Sequence, residues 1–256
     1  MKKGNLFMIL LVAVTVVCIV FGTFMHAGLL SHRGFHFDYT FGNDSKKESA
    51  ENGTTKLDVF TKIDMDLNTT DVKITNGDDY AITVEAANKD ILPTYSVDNG
   101  TLELSQEQNN NIFGLHDNSC TLEITVPKDA EIKEITGEVT VGDINIEETQ
   151  ADTIDLTADV GGINLYKVTA KDITLSGRVG DVIANVNDFN SMELSTNTGD
   201  ITIVSAKDLD NYDLDLDSGV GSISVNGKDQ GDSYSQNGNE GSIEADSDVG
   251  DVCVNY

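Results

Sequence analysis

The feature that most constrains this chain is a repeat of 19 residues between Ile135 and Val204. Four segments align there without gaps, each with the pattern I-x-L-x-x-x-x-G-D-I-x-I, in which two alternating apolar runs flank a glycine turn. Alternation with a period of two places successive side chains on opposite faces of a strand, so the apolar columns should face one side. A single unit cannot bury that side, but stacked units can.

The aligned columns predict which residues face the core. One apolar column consists of Ile135, Ile154, Ile173 and Met192. A second, just before the turn, consists of Val141, Val160, Val179 and Thr198, and we expect both to point inward. Glycine suits the turn because it adopts positive φ freely. The repeat-turn glycines are Gly142, Gly161, Gly180, Gly199, Gly221 and Gly250.

Further copies of the repeat lie outside the gapless region. They span residues 63–74, 214–225 and 243–254, and a Gly/Asn/Ser-rich insertion at 227–240 separates the last two. The sequence therefore predicts that the copy finishing at Val254 ends the stack. There, either the insertion folds over the open coil or a partner pairs with it, because an open coil end exposes unpaired backbone groups.

These patterns predict an all-β fold, a β-solenoid with coils of 19 residues. Helical repeats are the competing interpretation. The abundance of Val, Ile and Thr and the Gly-Asp break within each unit disfavour helices. No catalytic or cofactor-binding motif accompanies the repeat. The four histidines, His26, His32, His36 and His116, form no metal-ligand spacing.

The N-terminus reads as a membrane anchor. Residues 1–33 contain an uncharged run from Leu6 to Phe24, with apolar character through Leu30, which is long enough to span a bilayer. We expect contact with the membrane through residues 6–30; a cleaved signal peptide is the alternative. Lys2 and Lys3 favour a cytoplasmic N-terminus, so the protein would be single-pass with an extracytoplasmic C-terminal domain.

Composition divides the remainder of the chain. Residues 34–56 are polar and read as a flexible linker, and residues 57–256 as the solenoid ectodomain. Within the ectodomain, residues 57–134 are irregular and are expected to cover the N-terminal end of the regular repeats at 135–256. The three cysteines do not suggest a disulfide scaffold, because Cys120 should face inward and Cys253 outward.

Charge narrows the classes of partner. Three basic residues and no acid precede Gly34, which leaves 13 basic and 44 acidic residues, a net charge of −31, in the rest of the chain. Nucleic acid and anionic lipid are therefore poor partners for the ectodomain, and we expect no nucleic-acid partner. The acids after the turn glycines, Asp143, Asp181 and Asp200, suggest a Ca²⁺ site as one interpretation. A turn-forming role is the interpretation that we favour.

Several segments together resemble a known family. They are the Gly-Asp-Ile-x-Ile units, Leu102-x-Leu104, the strand Ile124-Thr125-Val126-Pro127 before the repeats, and the copy Gly238-Asn239-Glu240-Gly241-Ser242-Ile243. Over residues 57–256 the chain is similar to the bacterial "putative adhesin" domain family of unknown function. The resemblance implies a right-handed parallel β-helix, often on a membrane anchor, and supplies no catalytic residues.

Two functions follow as expectations. The first is a non-enzymatic, adhesion-like surface that binds material outside the cell. The alternative is an accessory scaffold or sensor of the cell-envelope stress response that contacts a membrane partner, because the resemblance includes membrane proteins encoded with such systems. A polysaccharide-acting β-helix enzyme is a third reading, which we disfavour because short regular coils leave little material for the walls of a cleft.

Overall fold

The computed structural model describes residues 47–107 and 119–256. These residues form a curled sheet of 21 strands and a short 3₁₀ helix, Lys89–Ile91. Within these two ranges no helix has the length and apolar character to cross a membrane, and the predicted anchor at 6–30 lies outside them. The strands are β1 (Glu48–Ser49), β2 (Gly53–Lys56), β3 (Lys62–Thr69), β4 (Asp71–Gly77), β5 (Ala81–Ala86), β6 (Thr94–Asp98), β7 (Thr101–Ser105), β8 (Cys120–Pro127), β9 (Ile132–Val141), β10 (Ile144–Glu147), β11 (Gln150–Val160), β12 (Ile163–Val179), β13 (Val182–Asp188), β14 (Ser191–Thr198), β15 (Ile201–Ser205), β16 (Asp213–Ser218), β17 (Ile223–Val225), β18 (Lys228–Gly231), β19 (Ser233–Gln236), β20 (Ser242–Ser247) and β21 (Val252–Asn255).

The predicted solenoid is confirmed by the parallel register of the repeats. Ile154 pairs with Ile135 on one side and with Ile173 on the other, one repeat away in each direction. Strands before the glycine turn stack in this way as sheet A, and strands after it stack as sheet B. β12 belongs to both sheets: its first half pairs with β10 and β13, and its second half with β11 and β14.

The interior is filled by the predicted apolar column and its neighbours. Ile135, Ile154 and Ile173 are at most 1% exposed, and Met192 is 2% exposed. Each such side chain contributes about 1.5–3 kcal/mol through removal of its surface from water. Because neighbouring coils supply the same kind of side chain at the same height, the core is continuous along the stack.

The second apolar column lies on the outside, so this part of the prediction was wrong. Val141, Val160 and Val179 are 44%, 49% and 48% exposed. In each coil the last inward position of the strand is two residues earlier, as at Val139. Val160 is still paired in register with Val141 and Val179, but it is the last residue of its strand, and its side chain points outward at the corner before the glycine turn.

The copies do not stack in sequence order at the C-terminal end. Ile243 of β20 pairs with Met192 of β14 on one side and with Leu214 of β16 on the other. In sheet B, β21 likewise lies between β15 and β17. The expectation that the copy at Val254 ends the stack was therefore wrong, because aligned columns identify the copies but not their order.

The insertion at 227–240 covers the last coil at the C-terminal end by adding one strand to each sheet. β18 pairs antiparallel with β17, and β19 pairs antiparallel with β16. The N-terminal end is built similarly, with β3 between β7 and β9, and with β5 and β6 added antiparallel to β8 and β7.

Part of the predicted linker is ordered within the sheet. β1 pairs with β6, and β2 pairs with β5. The prediction of a flexible segment was therefore wrong for residues 48–56. Polar side chains do not prevent pairing there, because the bonds of an edge strand are made by the backbone.

Candidate binding surfaces

The repeat-turn glycines are required by close contact between coils. A Cβ on Gly180 would collide with the carbonyl oxygen of Gly161, and the same collision recurs along the column. Gly180 also adopts a φ of 151°, a conformation that L-residues rarely reach. Five of the six predicted turn glycines have positive φ of this kind; Gly221 does not, but its Cβ would meet the carbonyl of Gly250.

The three aspartates considered for Ca²⁺ bind backbone amides instead. Oδ1 of Asp143 accepts a hydrogen bond from the backbone N–H of Gly162 at 2.7 Å. In the same way, Oδ1 of Asp181 accepts from the N–H of Asp200 at 2.9 Å, and Oδ1 of Asp200 accepts from the N–H of Asp251 at 2.8 Å. Among the described residues no group of three or more His, Cys, Asp or Glu side chains could hold a metal ion. Each carboxylate therefore joins one coil to the next.

A second ladder, inside the turn, was not anticipated from the sequence. The hydroxyls of Thr196, Ser247 and Ser218 are buried. They donate to the carbonyls of Gly180, Gly199 and Gly250 at 3.1, 3.0 and 2.8 Å. The available signal was a hydroxyl residue at an inward position three residues before a turn glycine. These bonds give a hydrogen-bond donor to carbonyls that would otherwise lack one at the corner of the coil.

The outer surface of sheet A is strongly acidic near the C-terminal end of the stack. Glu244 lies between Glu193 and Asp215 in register, and Asp246 lies beside Asp217. No ion pair in the described part of the chain involves these acids. Partial burial, followed by the charges of Asp248 and Asp217, raises the pKa of Asp246. We call this surface the acidic face: Glu193, Asp213, Asp215, Asp217, Glu244 and Asp246.

The outer surface of sheet B has a different character. From β12 to β17 its outward positions are uncharged, and Tyr166, Ile183 and Val204 are 47%, 36% and 37% exposed. At the corner of the coil, the ammonium of Lys167 lies 4.9 Å from the centroid of the Tyr166 ring. Cys253 lies on this surface as a half-buried thiol, whereas Cys120 is buried in the core, and both are free. We call this surface the neutral face: Asn164, Tyr166, Ile183, Asn185, Thr202, Val204, Ser224, Cys253 and Asn255.

Two open grooves adjoin these surfaces. One, of about 400 Å³, lies beside the acidic face between Glu193, Asp215 and Gln236. The other, of about 700 Å³, follows the opposite corner of the coils near Lys133 and Lys171. Their described lining residues include no histidine or cysteine that would pair with a hydroxyl as nucleophile and base, and all four histidines lie outside the described residues.

Comparisons with known proteins address the family. No curated protein matches the chain. Among solved structures, the chain is similar to a "putative cell adhesion protein" from Clostridium sporogenes, with 16% identity and a TM-score of 0.45, covering 82% of this chain and 99% of that one. It is also similar to a "putative adhesin" from Bacteroides fragilis, with 17% identity and a TM-score of 0.44, covering 79% of this chain and 95% of that one.

The sequence profile of the Toastrack DUF4097 family matches residues 60–252. Because that match spans most of the chain and confirms the resemblance seen in the repeats, the chain belongs to the Toastrack DUF4097 family.

Proposed function

We propose that residues 47–256 form a non-enzymatic, adhesion-like binding surface, held outside a bacterial membrane by residues 6–30. The observation that carries the proposal is the division of the solenoid into a filled interior and long, regular outer faces. The core residues are mostly Ile, Leu and Val, and the charged side chains of the described residues lie on the exterior. Flat repeat surfaces of this kind suit extended partners.

The contrast between the two faces supports selective binding. Among the described residues, the six carboxylates of the acidic face have no paired cation, whereas the residues of the neutral face are all uncharged. A partner that complements one face is therefore a poor fit for the other. The two faces can be tested separately, since each has residues that the other lacks.

Because residues 48–56 are paired within the sheet, they favour the second function considered from the sequence, an envelope scaffold or sensor. If the anchor ends near residue 33, residues 34–46 are the remaining tether. Thirteen residues span at most about 45 Å even when fully extended. A tether of that length favours a partner within or close to the membrane over a distant surface.

Site-specific photo-cross-linking in the native membrane tests both functions. A photo-reactive residue at Thr174 would probe the outer surface of sheet A, and one at Asn164 would probe the neutral face as its matched control. Saturable cross-links to cell-wall or foreign surface material support the adhesion-like function. A specific integral-membrane partner supports the scaffold or sensor. A correctly inserted chain that cross-links to neither from either position contradicts the proposal.

A further inference from the structure

We infer that the free edge of β19 is a docking site for an extended, lysine- or arginine-rich segment of a partner protein, which pairs as an added strand of sheet A. This inference rests on the proposed function and names the partner chemistry of one part of that surface. Three observations carry it: an unpaired backbone edge, the absence of charge on that edge, and the acidic face beside it.

The first observation is the direction of the backbone groups of β19. Asp232, just before the strand, accepts from the N–H of Ser218 at 2.9 Å. In an antiparallel ladder the hydrogen-bonded residues alternate, so the backbone N–H and C=O groups of Tyr234 and Gln236 also point toward β16. The N–H and C=O groups of Ser233 and Ser235 therefore point away from β16, which is the strand paired with β19 among the described residues.

The second observation distinguishes β19 from the other outermost strands of the described sheet. β1 carries Glu48, β2 ends at Lys56, and β18 carries Lys228 and Asp229. Charged side chains on an edge discourage pairing with another chain. β19 has the sequence Ser-Tyr-Ser-Gln and lacks both charge and proline, so this protection is missing from its edge.

The third observation identifies the chemistry of the occupant. Ser235 lies beside Asp215 and Ser233 beside Asp217, so a strand added to β19 would lie two strand spacings, about 10 Å, from those acids. Serine side chains are short. A lysine or arginine stem from the added strand can extend across them to the carboxylates.

Other acids make the same region favourable for cations. Glu244 and Asp246 lie on the strand beyond β16. Partial burial, and then the charges of Asp248 and Asp217, raise the pKa of Asp246, so part of that shift reflects repulsion between carboxylates. An added cationic strand would relieve that repulsion. A second copy of this chain fits less well, because pairing β19 with its equivalent would bring two such acidic surfaces together.

The test uses the full-length chain in nanodiscs of uncharged lipid and a fluorescent octapeptide of alternating lysine and threonine. We expect saturable binding that weakens as salt increases. An octapeptide with glutamine in place of lysine should bind at least about tenfold more weakly. Equal binding of the two peptides would overturn the charge requirement.

Two variants separate edge pairing from simple attraction. Ser235→Pro removes an outward N–H without removing a bond to β16, so the fold should be retained and peptide affinity should fall about tenfold or more. Thr54→Pro, in the edge strand β2 at the other end of the stack, is the matched control and should leave affinity unchanged. The N–H of Leu57 donates to Tyr80, so the alternation of the ladder turns the N–H of Thr54 away from β5. If Ser235→Pro remains folded by circular dichroism and binds like the parent, the pairing is wrong.

A charge variant covers the case in which the proline variant does not fold. Asp215→Asn combined with Asp217→Asn preserves side-chain shape and should weaken binding and its salt dependence. Asp155→Asn, on the same outer surface further along the stack, should change neither. If the parent chain forms no cross-links in the native membrane from either face, the binding function itself is contradicted. If the parent chain forms cross-links and the Ser235→Pro variant forms the same ones, only this docking site is contradicted.

Discussion

Oδ1 of Asp143 accepts a hydrogen bond from the backbone N–H of Gly162 at 2.7 Å, so the side chain of one coil caps the turn of the next. Removing it with Asp143→Ala should lower the free energy of unfolding by about 1 kcal/mol. Asp143→Asn retains an oxygen acceptor and should recover part of the loss. Asp155→Ala, an exposed acid with no such bond described, serves as the control in chemical denaturation.

A substitution at the turn should be far more damaging than one beside it. Gly180→Ala would place a Cβ against the Gly161 carbonyl in a backbone conformation unfavourable for alanine, and we expect a loss of at least about 3 kcal/mol. Gly162→Ala is the control, since its Cβ would lie 3.3 Å from its nearest neighbour, the Asp181 carbonyl. Comparable unfolding midpoints for the two variants would contradict the role assigned to the turn contact.

Hydrogen exchange can verify the order of the stack. The amide of Val252 donates to the carbonyl of Ser222 at 3.0 Å, and β21 is paired on both sides. Its amide should exchange slowly, whereas that of Ser235, on the outer edge of β19, should exchange rapidly. If Val252 exchanged as fast as Ser235, β21 would not lie within the stack.

The acidic face predicts a particular pH dependence. Burial and the neighbouring charges of Asp248 and Asp217 raise the folded-state pKa of Asp246 above its unfolded value. The ionised form therefore destabilises the fold, and the contribution of this residue to stability is present at low pH and lost as pH rises through the folded pKa.

Asp246→Asn should accordingly increase the melting temperature slightly at pH 7, with the gain shrinking as pH approaches the ordinary range of aspartate. Melting curves of the variant and the parent at several pH values provide the measurement. Asp155→Asn, at an exposed position on the same outer surface, controls for the general loss of negative charge. A stability gain that grew toward low pH would refute the assigned sign.

The sequence was sufficient for the features that recur at a fixed spacing. Ile135, Ile154 and Ile173 are recognisable as a column because each coil needs the same side chain at the same height. The turn glycines are recognisable for a related reason, since every coil meets its neighbour's carbonyl at that point. The period of the repeat, and the inward direction of this isoleucine column, therefore followed from repetition alone.

Other features depended on interactions that repetition does not encode. Val160 fits the inward parity of its strand and is still paired there, but as the last residue before the glycine turn it points outward. The order of β16 and β20 depends on which of two similar copies meets β14, and their apolar columns are nearly interchangeable. Neither β1 nor β19 has an apolar pattern, because each is held by backbone pairing at an edge.

The position of β20 and β21 has a consequence for how the molecule is made. β16 and β17 emerge from the ribosome earlier, but their parallel partners are the later strands. A coil assembled strictly in order of synthesis would attach β16 to β14 and leave no place for β20. Correct assembly therefore requires β20 and β21 to enter between strands that were synthesised earlier, while β19 and β18 pair with the other edges of β16 and β17 and remain there in the folded chain.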